Sequence, residues 1–143
     1  MTMTFQIILG SLMLGLCSAI HLGILICVIR LLQSFGKIFE VKSNGSRWSL
    51  MMVMAFAAIV LAHTIQIWLW AVSFMLLSAL PNIADAIYFS LVTYTTLGYG
   101  DVTVDIGLRI YAAMAAVTGL LNFGLSTAFL VGLFARLLSS EID

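Results

Sequence analysis

Three long stretches almost free of charge decide what this chain can fold into. Residues 5–29 contain no Lys, Arg, Asp or Glu. About 20 consecutive apolar residues span a bilayer's hydrocarbon core. Within lipid the backbone must satisfy its own polar groups, so such a run is read as a transmembrane helix. A second apolar run, 48–80, is too long for one upright span. Trp68 and Trp70 suit a headgroup interface, so the exit of this span is expected near them. A third run covers 110–138. The fold class expected is an all-α membrane protein with three transmembrane helices. Composition agrees, because 8% of the 143 residues are charged and a soluble domain would carry about three times that share. Net charge is zero, which gives no reason to expect nucleic acid as a partner. Cys17 and Cys27 lie on one helix, separated by about 15 Å of helix rise. They cannot bridge each other and read as small buried residues. No basic residue precedes Arg30, so the first run lacks the positive start of a signal peptide and is expected to be retained.

The basic residues orient the spans. Arg30, Lys37, Lys42 and Arg47 lie in or bound the first loop, and Arg136 ends the third run. Arg109 alone falls on the other side. The first loop also holds Glu40 and the turn-forming Ser43-Asn44-Gly45-Ser46. The positive-inside rule puts this loop and the C-terminus in the cytoplasm, with the N-terminus and residue 81 onward outside.

Between the second and third runs stands Thr95-Thr96-Leu97-Gly98-Tyr99-Gly100-Asp101. Non-helical backbone at membrane depth is tolerated only where protein buries it or water lies beside it. Glycines alternating with bulkier residues let successive carbonyls point one way, because glycine takes left-handed conformations at little cost. Rings of such carbonyls, with a threonine hydroxyl at the inner end, can replace the hydration shell of a potassium ion. Before this segment, Pro81 suits a helix start. Asn82, with Asp85 three residues on, reads as a capping arrangement. Residues 83–93 then read as a short helix whose partially negative C-terminal end points inward.

The heptapeptide resembles the selectivity filter of potassium channels, with Leu97 in place of the more usual valine. The resemblance extends from about Trp48 to Arg136 in the order outer helix, pore helix, filter, inner helix. It implies the divisions 48–80, 82–94, 95–101 and 107–138, preceded by an extra helix (1–33) and a cytoplasmic loop (34–47). It implies potassium ions as permeant ligand at the carbonyls of Thr96, Leu97, Gly98 and Tyr99, with Gly100 at the mouth and no cofactor. It also implies that Thr95, Asp101, Tyr88 and Val92 support the filter. Asp101 would anchor the outer mouth through Tyr88, which stands where many relatives have tryptophan. Val92 occupies a place where some relatives carry glutamate, so the buried carboxyl pair behind the filter is absent. Gly119 falls on the family's hinge glycine, and a glycine there serves either as a hinge or for packing. Gly124, Ala128 and Gly132 form a small-residue stripe. Asn122 either faces the ion cavity or bonds to a neighbouring helix or its own i−4 carbonyl.

Ahead of the outer helix, Ser11, Gly15, Ala19, Gly23 and Cys27 recur every four residues. This stripe predicts close packing on another helix, in the same or an adjacent subunit. His21 and His63 fall deep in the membrane, where ionisable residues usually face protein or water. They read as neutral imidazoles hydrogen-bonded inside the bundle, with Gln66 and Thr64 nearby, or as a pH-sensitive contact between the first two helices. Metal binding needs more ligands than these two.

One chain carries one filter strand, so a closed ring of carbonyls requires a homotetramer in lipid. The function expected is passive potassium conduction without a chemical step, across the cell's plasma membrane. No nucleophile elbow, metal cluster or phosphate loop supports an enzyme. No helix carries arginines at every third position as a voltage sensor would, and no cytoplasmic ligand domain is expected. Two rivals are a non-selective cation channel and a non-conducting regulatory subunit.

Overall fold

A computed structural model describes residues 1–38 and 44–139, with side chains for 1–34 and 48–136. Its helices are α1 (Met3–Ile38), α2 (Asn44–Leu76), α3 (Ile83–Tyr94) and α4 (Arg109–Ser139), with a 3-10 turn at Ile106–Leu108 before α4. Helices α1, α2 and α4 are each long and apolar enough to cross a membrane, and α3 is a shorter apolar helix. The chain is an all-α integral membrane protein. Glu40, Lys42, the side chains of Lys37 and Arg47, and the tail from Ser140 lie outside the described residues. The turn expected at 43–46 is helical from Asn44 onward.

The register of contacts gives the directions of the spans. Gln6 Oε1 accepts from the backbone amides of Ile110 (3.1 Å) and Tyr111 (3.4 Å), and His21 meets Ser126. These pairs are separated by 104, 105 and 105 residues. A near-constant offset means that α1 and α4 run parallel along their length. Gln6 thereby satisfies two of the amide groups that the start of α4 would otherwise leave without partners. α2 is antiparallel to both: Cys17 clusters with Trp70, His21 meets Gln66, and Leu32 clusters with Ala55.

The first helix is thus integral to the bundle, but not through its small-residue stripe. Ser11, Gly15, Ala19, Gly23 and Cys27 are all exposed. A Cβ added to Gly15 or Gly23 would meet nothing within 4 Å. The buried face instead carries Gln6, Gly10, Cys17, His21, Leu25, Val28 and Leu32. Much of the stripe sits two residues from this face, about 200° round a helix. It therefore lies away from the face that α1 buries against α2 and α4 of its own chain. Gly10 is the close approach, since a Cβ there would sit 2.6 Å from Met114 Cγ. Cys27, expected to be buried, is exposed, while Cys17 is buried.

Trp70 corrects another expectation. It is fully buried, with ring centroids 5.1 Å from Tyr111 and 5.8 Å from Phe74, and so belongs to the core. Trp68 is exposed. Helix α2 continues past both to Leu76, and the chain then turns through Ser78 (φ 51°) to Pro81.

Candidate functional site

Asn82 starts α3. Its Oδ1 accepts from the Asp85 amide at 2.9 Å, while its Nδ2 donates to Asp85 Oδ2 at 2.8 Å. This reciprocal cap fixes where the helix begins. At the other end, the chain folds back on the helix it has just left. The amides of Thr95, Thr96, Leu97 and Gly98 donate to the carbonyls of Leu91, Thr93, Val92 and Val92, at 2.9–3.2 Å. Thr95 Oγ1 adds a 2.7 Å bond to the Leu91 carbonyl. The carbonyls of Leu91, Val92 and Thr93 in the last turn of α3 are therefore taken by the segment that follows.

This pairing orients the segment. In a trans peptide the C=O of one residue is antiparallel to the N–H of the next, and no peptide here is cis. Because the amides of residues 96–98 point at α3, the carbonyls of Thr95, Thr96 and Leu97 point away from it. Left-handed conformations recur at every second residue: Thr96 (φ 61°), Gly98 (φ 59°) and Gly100 (φ 77°). The two glycines adopt them at little cost. Thr96 is β-branched, and holding it there costs about 1–3 kcal/mol. Sequence reasoning assigned the left-handed positions to the glycines and missed Thr96.

Side chains of the segment face outward from the single chain. Leu97 is 55% and Tyr99 68% exposed. At the end of the segment, the Tyr88 hydroxyl donates to Asp101 Oδ2 at 2.6 Å. That bond lowers the Asp101 pKa from its ordinary value and raises that of Tyr88. Val92 supports the segment with its backbone, since its carbonyl accepts from two amides, and its side chain is buried.

Asn122 does not face a cavity. It is 1% exposed, and its Nδ2 donates to Gln66 Oε1 (2.8 Å) and to the Thr118 carbonyl (2.9 Å). Both protons of its Nδ2 are thereby taken, one across to α2 and one by its own helix. Gly119 is a packing position: an added Cβ would overlap the Tyr94 carbonyl oxygen and lie 2.8 Å from the carbonyl carbon. α4 runs unbroken through it. Gly124 is exposed, with open space where a Cβ would be.

Directly behind α3 lies a cluster of polar side chains that the four helices build together. His21 and His63 have ring centroids 4.9 Å apart. His21 Nδ1 is 2.8 Å from Gln66 Nε2, and its Nε2 is 2.9 Å from Ser126 Oγ. His63 Nε2 is 3.1 Å from the same Ser126 Oγ, and its Nδ1 is 2.8 Å from the Tyr94 hydroxyl. That hydroxyl donates to Gln66 Oε1 at 3.0 Å. Phe123 stacks on His63 with centroids 4.4 Å apart. Thr64 takes no part, bonding instead to the Val60 carbonyl of its own helix. The sequence reading placed both histidines deep in the membrane with Gln66 nearby. It missed Tyr94 and Ser126. Their signal was present as polar atoms inside apolar runs, four residues from Asn122 in the case of Ser126.

Comparison with known proteins bears on the same region. A family model described as "Ion channel" matches residues 50–136, well over half of the chain. Over 58 residues the chain is 36% identical to potassium voltage-gated channel subfamily A member 6 of Homo sapiens, and equally to that of Mus musculus and Rattus norvegicus. Those residues are 40% of this chain and 11% of each relative. No solved structure matches. By the extent of the family match, which takes in α3, the segment behind it and nearly all of α4, the chain belongs to this ion-channel family.

Proposed function

We propose that four copies of this chain form a potassium-selective pore, with residues 96–100 as the filter. The observation that carries this is the backbone of 95–100. The amides of 95–98 are donated to α3 and the conformation alternates in hand through Gly100, which leaves the carbonyls of Thr95, Thr96 and Leu97 on the opposite side as potential ion ligands. One strand encloses nothing, so the ring needs further copies. The exposed Leu97 and Tyr99 offer apolar surface for them to cover. Thr96, Leu97, Gly98 and Tyr99 would coordinate the ion in place of water. The potassium-channel names of the partial relatives favour this ion. The chain passes ions down their gradient, with no bond made or broken.

The basic loop orients the protein in the plasma membrane with its N-terminus outside and its C-terminus cytoplasmic, lipid surrounding the tetramer. The filter then opens to the outside.

The test is ion flux from the purified protein reconstituted alone in liposomes. Potassium flux with sodium excluded is expected. Equal flux of both ions favours a non-selective cation channel, and no flux favours a subunit that regulates another channel.

A further inference from the structure

We propose that Tyr94 is a positioning residue for the filter, held by a one-directional ring of hydrogen bonds to which the first helix contributes His21. The ring also fixes His21 and His63 as opposite neutral tautomers. This deepens the pore reading, and rests on it only for why the position of the filter matters.

The direction of the ring follows from two backbone carbonyls. The Thr118 carbonyl can only accept, so the Asn122 atom beside it is Nδ2, a donor. The other proton on that nitrogen needs an acceptor, which makes the facing Gln66 atom Oε1. The Ala62 carbonyl, 3.3 Å from Gln66 Nε2, requires the same orientation. Gln66 then donates to His21 Nδ1, so neutral His21 carries its proton on Nε2 and donates to Ser126 Oγ. Tyr94 donates to Gln66 Oε1, so its oxygen accepts from His63 Nδ1–H. His63 Nε2 is then an acceptor and takes the Ser126 proton. The circuit Gln66, His21, Ser126, His63, Tyr94 closes with each member donating once and accepting once around it. A ring nitrogen's proton is set by the bond its partner nitrogen makes, and here every such choice is forced.

The circuit acts on the filter through Tyr94, the last residue of α3. Its hydroxyl is in the ring and its carbonyl lies against Gly119. Thr95 and Thr96 follow directly. An added proton breaks the direction of the circuit, because the Ser126 hydroxyl would have to turn its own proton away to accept it. On His21 Nδ1 it would face the Gln66 amide protons, and on His63 Nε2 the Ser126 hydroxyl proton. The groups facing His63 are His21 from α1, Tyr94 from α3, and Phe123 and Ser126 from α4.

The experiment is NMR on the full 15N-histidine-labelled chain in micelles at neutral pH, combined with amide hydrogen exchange. One histidine protonated on Nε2 and the other on Nδ1 is expected. Tyr94→Phe should release the single tautomer of His63 and leave that of His21 in place. It should also speed exchange at the Thr96, Leu97 and Gly98 amides about tenfold, the scale of one hydrogen bond, with the amides of Val28 and Ala55 unchanged. A merely structural loss would speed both sets. Gln66→Met, which removes the acceptor of Tyr94 and keeps the phenol, should give the same local acceleration if Tyr94→Phe does not fold. Matching tautomers, an imidazolium at neutral pH, or filter exchange unaltered in the variants would overturn the proposal. Absence of potassium flux in the wild type would overturn the pore reading alone, since neither readout needs conduction.

Discussion

Residues 95–101 take nearly all their hydrogen bonds from the helix just before them, whereas the circuit behind them takes side chains from all four helices. In the proposed filter, amides of 95–98 pair with carbonyls only a few residues away. In the circuit, partners lie 28 to 105 residues apart. The first region is local and depends on backbone conformation. The second is non-local and depends on side chains that meet only once α1 lies along α4. A short motif can therefore specify the filter's shape, but holding that shape in place falls to residues that no motif contains.

Packing between the two regions should give the largest effect. Gly119→Val places side-chain atoms where the Tyr94 carbonyl sits, and the helix backbone there cannot yield cheaply. A loss of about 3 kcal/mol or more is expected from overpacking, read as a lowered melting midpoint in detergent. If Gly119 acted as a hinge instead, Gly119→Ala would alter channel opening and leave the midpoint in place. Gly10→Leu belongs to the same class, because it meets Met114, and should cost about 1–3 kcal/mol. Gly15→Leu on the exposed stripe should leave the subunit's own stability unchanged. A fall in tetramer stability alone would put an adjacent subunit against that face.

Gly98→Ala separates conformation from packing. There is open space for the methyl group, so its cost is that of a left-handed alanine, about 1–2 kcal/mol. Potassium flux should collapse while the melting midpoint falls less than in Gly119→Val. Equal loss of both would mean that the filter is not the local unit described above.

Acid sharpens the comparison at the mouth. The Tyr88 hydroxyl holds the Asp101 pKa below its ordinary value. A depressed carboxylate stabilises the fold above its unfolded pKa and loses that contribution as pH falls through the folded one. The mouth bond is therefore intact at neutral pH and lost only below the usual carboxylate range. Tyr88→Phe should shift acid loss of flux to higher pH by a small amount, as suits an exposed pair. The histidine circuit responds separately: His63→Gln should change any acid response of flux that survives in Tyr88→Phe. Identical profiles with and without His63 would leave the mouth as the acid-sensitive part.

The sequence made the spans legible because charge is excluded from them, and the cap at Asn82 because its spacing to Asp85 is local. The alternation around Gly98 and Gly100 was legible for the same reason. The face of α1 that packs inward was not. Small residues every four positions marked a face left exposed in the single chain, whereas the face buried against α2 and α4 carries the hydrogen-bonding Gln6 and His21. Asn122 was ambiguous for a related reason. Its partner Gln66 lies 56 residues away, and nothing in the spacing links the two. Trp70 looked interfacial by residue type, yet α2 carries it into the core beside Tyr111 and Phe74.

The most direct test is the reversal potential of the protein alone in a planar bilayer, with potassium on the cytoplasmic side and sodium on the other. A potassium-selective filter at 96–100 predicts a strongly negative reversal on the potassium side, lost in Gly98→Ala. A reversal close to zero in the wild type would contradict it.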